Sequence, residues 1–194
     1  MATERRRHRK NINEVGHAHE LTFSCYRRYP FLTSDRVCWW LVESIENARR
    51  SLEFDVWAWV FMPDHVHLIV RPRRNQHDLA QIRRLIKEPV ARRALSWLRK
   101  HSPEWLPQLE RRRGARKEYL FWQSGGGYDR NITTEETLLK MVTYIHENPV
   151  RKGLVERGCD WNWSSAGWFV NQRDAPLLPD RIPPEWLGDS GLGP

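Results

Sequence analysis

Cysteine is scarce in this 194-residue chain: Cys25, Cys38 and Cys159 are scattered, odd in number and never arranged as C-x-x-C. Their placement indicates neither a disulfide framework nor a thiolate zinc site, and is read as three small apolar side chains suited to a reducing compartment. No apolar run reaches the length of a membrane span, and the opening M-A-T-E-R-R-R-H-R-K-N lacks the apolar core of a secretory leader, so a soluble, cytoplasmic protein is expected. Acidic residues are in deficit, 24 against 32 Lys and Arg, for a net charge of +8. That excess favours a polyanionic partner, although charge alone does not choose between DNA, RNA and an anionic membrane. There is no internal repeat, and the length suits one domain with a sizeable core.

The chain is expected to divide into a basic arm over residues 1–15 that is mobile, an ordered body over 16–170 and a Pro- and Gly-rich tail over 171–194 that packs through Leu177, Leu178 and Trp186 or stays loose. Alternation predicts a first strand over His17–Arg28, with His19, Leu21, Phe23 and Cys25 on one face. Thr33 or Ser34 caps a helix carrying Val37, Leu41, Ile45 and Ala48 at helical spacing. A hairpin follows, Phe54–Phe61 out and His65–Arg71 back, with turn chemistry at Pro63 and Asp64. Trp57 and Trp59, two of eleven tryptophans, are assigned to one strand face; Trp161, Trp163 and Trp168 are assigned mainly to core.

A helical pattern over Asp78–His101 is interrupted by Pro89, which is expected to kink or split it. Its outer face is basic, and Arg83, Arg84 and Lys87 there are candidate phosphate contacts, as are Gln123, Arg130, Arg151 and Lys152 further on. Arg111–Arg113 and Arg116–Lys117 read as a basic loop. Thr133 and Glu136 form a capping box for a helix to about Glu147, whose stripe of Leu138, Met141, Val142 and Ile145 leaves Tyr144 and Asn148 together on its flank. Pro149 leaves the conformation of Asn148 open.

The segment M-P-D-H-V-H-L-I-V puts His65 and His67 two apart on a strand, so both imidazoles face one way. Two imidazole nitrogens and an amide oxygen leave open positions on a divalent cation able to bind a phosphodiester, and a phenol beside it can attack phosphorus. Zinc is the rival metal, but the helical H-E-x-x-H pattern is absent. Histidines held only by hydrogen bonds are the other alternative.

Together, W-A-W-V-F-M-P-D-H-V-H-L-I-V and Y-I-H-E-N-P-V-R-K-G-L-V resemble the IS200-like Y1 transposases of the HUH superfamily, most closely the REP-associated tyrosine transposases; D-W-N-W-S-S-A is similar to their closing W-x-x-S-S segment. The resemblance implies an α+β, ferredoxin-like antiparallel sheet covered by helices, with His65, His67 and Asn148 as ligands of Mg²⁺ or Mn²⁺ and Tyr144 as nucleophile. It further implies cleavage and rejoining of single-stranded DNA at REP-like hairpins through a 5′-phosphotyrosine, no membrane partner, and a monomer rather than the dimer of insertion-sequence relatives. One segment departs from the pattern: F-W-Q-S-G-G-G-Y-D-R-N-I has Arg130 at the usual histidine, after Gly125, Gly126 and Gly127. Those glycines suit either a close backbone approach to DNA or a flexible loop. A binding module on the same core that has lost cleavage is the alternative function.

Overall fold

The computed structural model describes residues 15–125 and 127–187. All but the last residue of the basic arm, Gly126 of the glycine run and the end of the tail therefore lie outside the described residues. Strands β1 (Ala18–Ser24), β2 (Phe54–Met62), β3 (His65–Pro72) and β6 (Tyr128–Ile132) form the main sheet in the order β2-β3-β1-β6, every neighbouring pair antiparallel. Helices α1 (Asp35–Leu52) and α2 (Leu79–His101) cover one face, and α4 (Glu135–His146) covers the other. This is the expected α+β architecture, and it adds β6, which the sequence pattern does not locate.

Strand periodicity divides the core. Leu21 and Phe23 of β1 and Val66, Leu68 and Val70 of β3 pack with α1 and α2, while Ala18 and Ile69 pack with α4. In β2 the register slips between Val56 and Ala58, a bulge that places Trp57 under α4 and Trp59 under α1 and α2. The two indoles therefore lie on opposite faces, because the extra residue resets the period of two. Each fully buried indole contributes roughly 4–6 kcal/mol of transfer free energy at ~25 cal/mol/Å².

Helix α1 starts after Ser34 at its N-cap, without a side-chain capping bond. Pro89 sits inside α2, which runs as one helix and is not split. Thr134, rather than Thr133, caps α4: its Oγ1 accepts from the Thr137 amide at 3.3 Å, and Glu136 pairs with Lys140 instead of closing a capping box. The expected basic loop is a two-stranded hairpin, β4 (Glu110–Arg113) with β5 (Arg116–Tyr119), after the short helix α3 (Leu106–Leu109). Beyond α4 come the short helices α5 (Asn148–Arg151) and α6 (Ala166–Asn171).

The later segments brace β2, whose outer side is an edge of the sheet. Phe61 N donates to Trp163 O, Ser165 N to Trp59 O and Asp180 N to Val56 O, while the Asp180 carboxylate accepts from Val56 N. Trp59 Nε1 donates to Leu177 O at 2.8 Å, and the Trp186 ring meets Trp57 edge-on. The described tail thus packs through Leu177 and Trp186, but Leu178 is exposed.

First strand and first helix are joined by a strained turn. Arg27 and Arg28 have φ of 53° and 59°, in the left-handed region that costs a residue with a Cβ about 1–2 kcal/mol. The predicted strand therefore ends at Ser24, and Tyr26–Arg28 form a 3₁₀ turn.

Candidate active site

Alternation along β3 sends His65, His67 and Ile69 to the α4 side of the sheet. The imidazole centroids are 4.9 Å apart. Each ring has its Nδ1 against a carboxylate: His65 on Asp64 Oδ1 at 2.6 Å, His67 on Glu20 Oε1 at 2.9 Å. Thr22, directly across from His67 in the ladder, adds an Oγ1 contact to the same Nδ1 at 3.0 Å. A carboxylate can only accept, so the nitrogen facing it carries the proton, and in a neutral ring held this way Nε2 is the atom with a lone pair to offer. Burial pushes the pKa of His65 below its ordinary value, with Asp64 opposing, which favours the neutral, ligating form.

Tyr144 stands on the flank of α4, 43% exposed, while Leu138, Met141, Val142 and Ile145 anchor the helix on the sheet. Its ring lies nearly perpendicular to His67, centroids 5.9 Å apart, and the Arg151 guanidinium carbon is 4.3 Å from its centroid. Glu147 separates α4 from α5, and the buried Asn148 opens α5 in helical conformation despite the following Pro149. Asn148 Nδ2 donates to Tyr144 O at 3.1 Å, and an Arg151 N–H donates to the same oxygen. Asn148 is thereby oriented through its nitrogen, leaving Oδ1 as the ligand-type atom. His146 faces away from the site, bonded to Ser165 Oγ at 2.8 Å.

The two histidines, Tyr144 and Asn148 line one cleft of about 1130 Å³. Among the described residues no group of three or more His, Cys, Asp and Glu side chains is arranged to hold a metal. Two imidazoles and an amide oxygen lining one cleft are donors of the kind that could hold a divalent cation with positions left open.

The expected nucleic-acid contacts divide by location. Arg130 and Lys152 line the cleft and Arg151 lies on Tyr144. Arg83 does not belong to the outer face of α2: it is 4% exposed, and its Nη1 is 3.3 Å from Asp129 Oδ2, because its helical position turns toward the sheet. Arg84 is exposed and 3.9 Å from Glu88. Lys87 is half-buried, donates to the carbonyls of Gln123 and Gly125 at 3.4 and 3.3 Å, and has its pKa lowered by burial to about 8. The Gln123 side chain accepts from Arg27 N at 3.4 Å. Lys87 therefore braces the glycine segment. A Cβ at Gly127, φ 75°, would sit 1.9 Å from Thr22 O, so this glycine serves a close approach to β1 itself.

Glu20, Thr22, Asp64 and Arg28 are site residues that the motifs did not nominate. Asp64 adjoins His65 in sequence, and alternation puts Glu20 and Thr22 on the face opposite Leu21 and Phe23, so their side was readable although their partner was not.

The model of the family described as Transposase IS200 like matches residues 15–148, a span holding both histidines, Tyr144 and Asn148. A Haemophilus influenzae protein provisionally named a REP-associated tyrosine transposase is 25% identical over 171 residues, covering 84% of this chain and 88% of that one. The fold is similar to that of a REP-associated tyrosine transposase solved bound to a REP hairpin, with a TM-score of 0.63 and 22% identity, over 100% of this chain and 98% of that one.

Proposed function

Because the chain belongs to the IS200-like transposase family, we propose that it is a metal-dependent DNA strand-transferase that cuts and rejoins single strands beside REP-like hairpins through Tyr144. The observation that carries this reading is the meeting, in one cleft, of a phenol with two imidazoles whose Nδ1 atoms are each held by a carboxylate. The neighbour bound to a REP hairpin supports a hairpin substrate.

His65, His67 and the Asn148 amide oxygen would hold Mg²⁺ or Mn²⁺. When bound, the cation supplies Lewis-acid polarisation of the scissile phosphate. The chain's own residues do the rest. Tyr144 Oη forms a bond to phosphorus as the bond from phosphorus to the 3′ oxygen breaks; the phenol loses its proton, and the departing oxygen gains one to leave as a 3′-hydroxyl. The 5′ end remains on Tyr144 as a phosphotyrosine, and attack by another 3′-hydroxyl reverses the step. Asp64 and Glu20 keep the imidazoles oriented, and Arg151, over the phenol ring, limits its rotation. Arg130 and Lys152 offer cationic contacts for the DNA backbone.

The test uses hairpin DNAs with single-stranded flanks, labelled at either end, incubated with Mn²⁺ or with chelator. The expected result is a denaturation-resistant protein adduct carrying the label downstream of the cut, seen only with metal and lost by about a thousandfold or more in Tyr144→Phe. Tight hairpin binding without adduct or cleavage would replace this reading with a non-catalytic binding module.

A further inference from the structure

The geometry points to Arg28 as a phosphate clamp at the mouth of the cleft, taking hold of a backbone phosphate of the strand that enters it. The identity of that strand as DNA rests on the function proposed above.

Two consecutive residues with a Cβ, Arg27 and Arg28, occupy the left-handed region. The turn they form is pinned from both sides: Cys25 N donates to Asp64 O and Tyr26 N to Phe121 O, each at 2.8 Å, and Leu32 N donates to Pro63 O at 2.9 Å. Strain held by its surroundings in this way calls for a local return. Stability does not provide it, because the visible ion pair of Arg28, Nη1 to Asp64 Oδ2 at 3.2 Å, lies on a side chain 61% exposed, where such pairs contribute little. Placement does provide it. Arg28 lines the same cleft as His65, His67 and Tyr144. Its partner Asp64 uses the other carboxylate oxygen to hold His65, so one side chain spans the guanidinium and the imidazole.

Asp64 accepts one N–H of a planar group that has five, and the remaining edge has the fork geometry that suits phosphate oxygens. The cleft also contains Glu20 and Asp64, which repel a phosphodiester, and Arg28 is the cation beside the Asp64 end of it. Arg27 in the same turn differs. Its guanidinium carbon is 5.2 Å from the Tyr26 ring centroid, and it does not line the cleft.

Asparagine tolerates the left-handed region best among residues with a Cβ, so Arg28→Asn keeps the turn while removing the clamp. Binding is measured with chelator present, on a DNA hairpin with single-stranded flanks, over a series of salt concentrations. Arg28→Asn is expected to melt at or above the parent temperature, to bind about tenfold more weakly at low salt, and to lose about 0.7–0.9 from the slope of log K against log salt. Arg27→Asn removes the same charge from the same turn and is expected to keep the parent affinity and slope. Parent-like binding by Arg28→Asn, or an equal loss in Arg27→Asn, would overturn the clamp. Because this assay needs no turnover, a parent that binds the hairpin but forms no Tyr144 adduct sinks the strand-transfer reading and leaves the clamp result intact.

Discussion

Two histidine pairs of identical H-x-H spacing sit on neighbouring strands of one sheet, and they live in opposite environments. His65 and His67 of β3 face α4, with a carboxylate on each Nδ1 and a cleft beside them. His19 of β1 lies on the other side, the side of Leu21 and Phe23, and His17 just precedes the strand. His19 is 0% exposed, neither of its ring nitrogens makes a hydrogen bond among the described residues, and its Nδ1 lies 3.5 Å from Asp129 Oδ1. His17 meets Asn131, and His77 lies against the His19 ring. Equal spacing in the sequence therefore does not by itself make a site. The face must be left uncovered, and carboxylates must fix the rings, Asp64 from the adjoining turn and Glu20 from the neighbouring strand. Glu20 makes the point sharply: it immediately follows His19, yet the alternation of β1 sends it through to the other face, where it serves His67.

The contrast can be broken most severely at His67. His67→Ala is expected to lower metal-dependent adduct formation by about a thousandfold or more, with the hairpin still bound in chelator; adduct formation near the parent rate would remove the pair from the chemistry.

A histidine outside both pairs sharpens it by stability. Burial lowers the pKa of His146 to about 4, against an ordinary 6.5. Between those values the unfolded chain takes a proton that the folded chain refuses, so this contribution is complete above pH 6.5 and is lost as pH falls toward 4. The loss is about 3 kcal/mol in all. Urea unfolding at about pH 7, 6 and 5 should show that slope, and His146→Gln should flatten it; an unchanged slope in the variant would assign it elsewhere.

Next come the orienting carboxylates. Glu20→Gln and Asp64→Asn should each weaken Mn²⁺ affinity by about 10–100-fold, read by calorimetry on the DNA-free protein. Parent-like affinity in both would mean that the rings hold their orientation unaided.

The smallest effect belongs to the buried His19. His19→Leu removes an unbonded polar ring from the core and should change stability by no more than about 1 kcal/mol, with parent adduct formation. A loss above about 3 kcal/mol would show that the ring's polarity is needed in place.

Much of this arrangement was legible in the chain. The β2–β3 hairpin, α1, α2 and the Tyr144 helix follow from local periodicity, and local periodicity survives folding when one face is buried. The rest depends on pairings between distant residues. The bulge at Trp57 is set by the register against β3, so counting by twos puts Trp57 and Trp59 on one face when they lie on two. Strand β6 is identified by its ladder with β1, more than a hundred residues earlier in the chain. Arg83 reads as part of a solvated basic face because its partner Asp129 comes 46 residues later. Thr134 displaces Thr133 as cap by one residue, a shift that two adjacent threonines leave open in the sequence.

The bracing of β2 has a consequence for how the molecule is made. A strand at the border of a sheet presents unpaired amides and carbonyls to any neighbour of similar geometry. Here Trp163, Ser165 and Asp180 occupy those groups, and all three come from the final fifth of the chain. During synthesis the β2–β3 hairpin emerges long before its guard, so a nascent or prematurely stopped chain carries an open seam. Chains ending before Trp161 are therefore expected to associate edge to edge more readily than the full chain, which light scattering on the two would read.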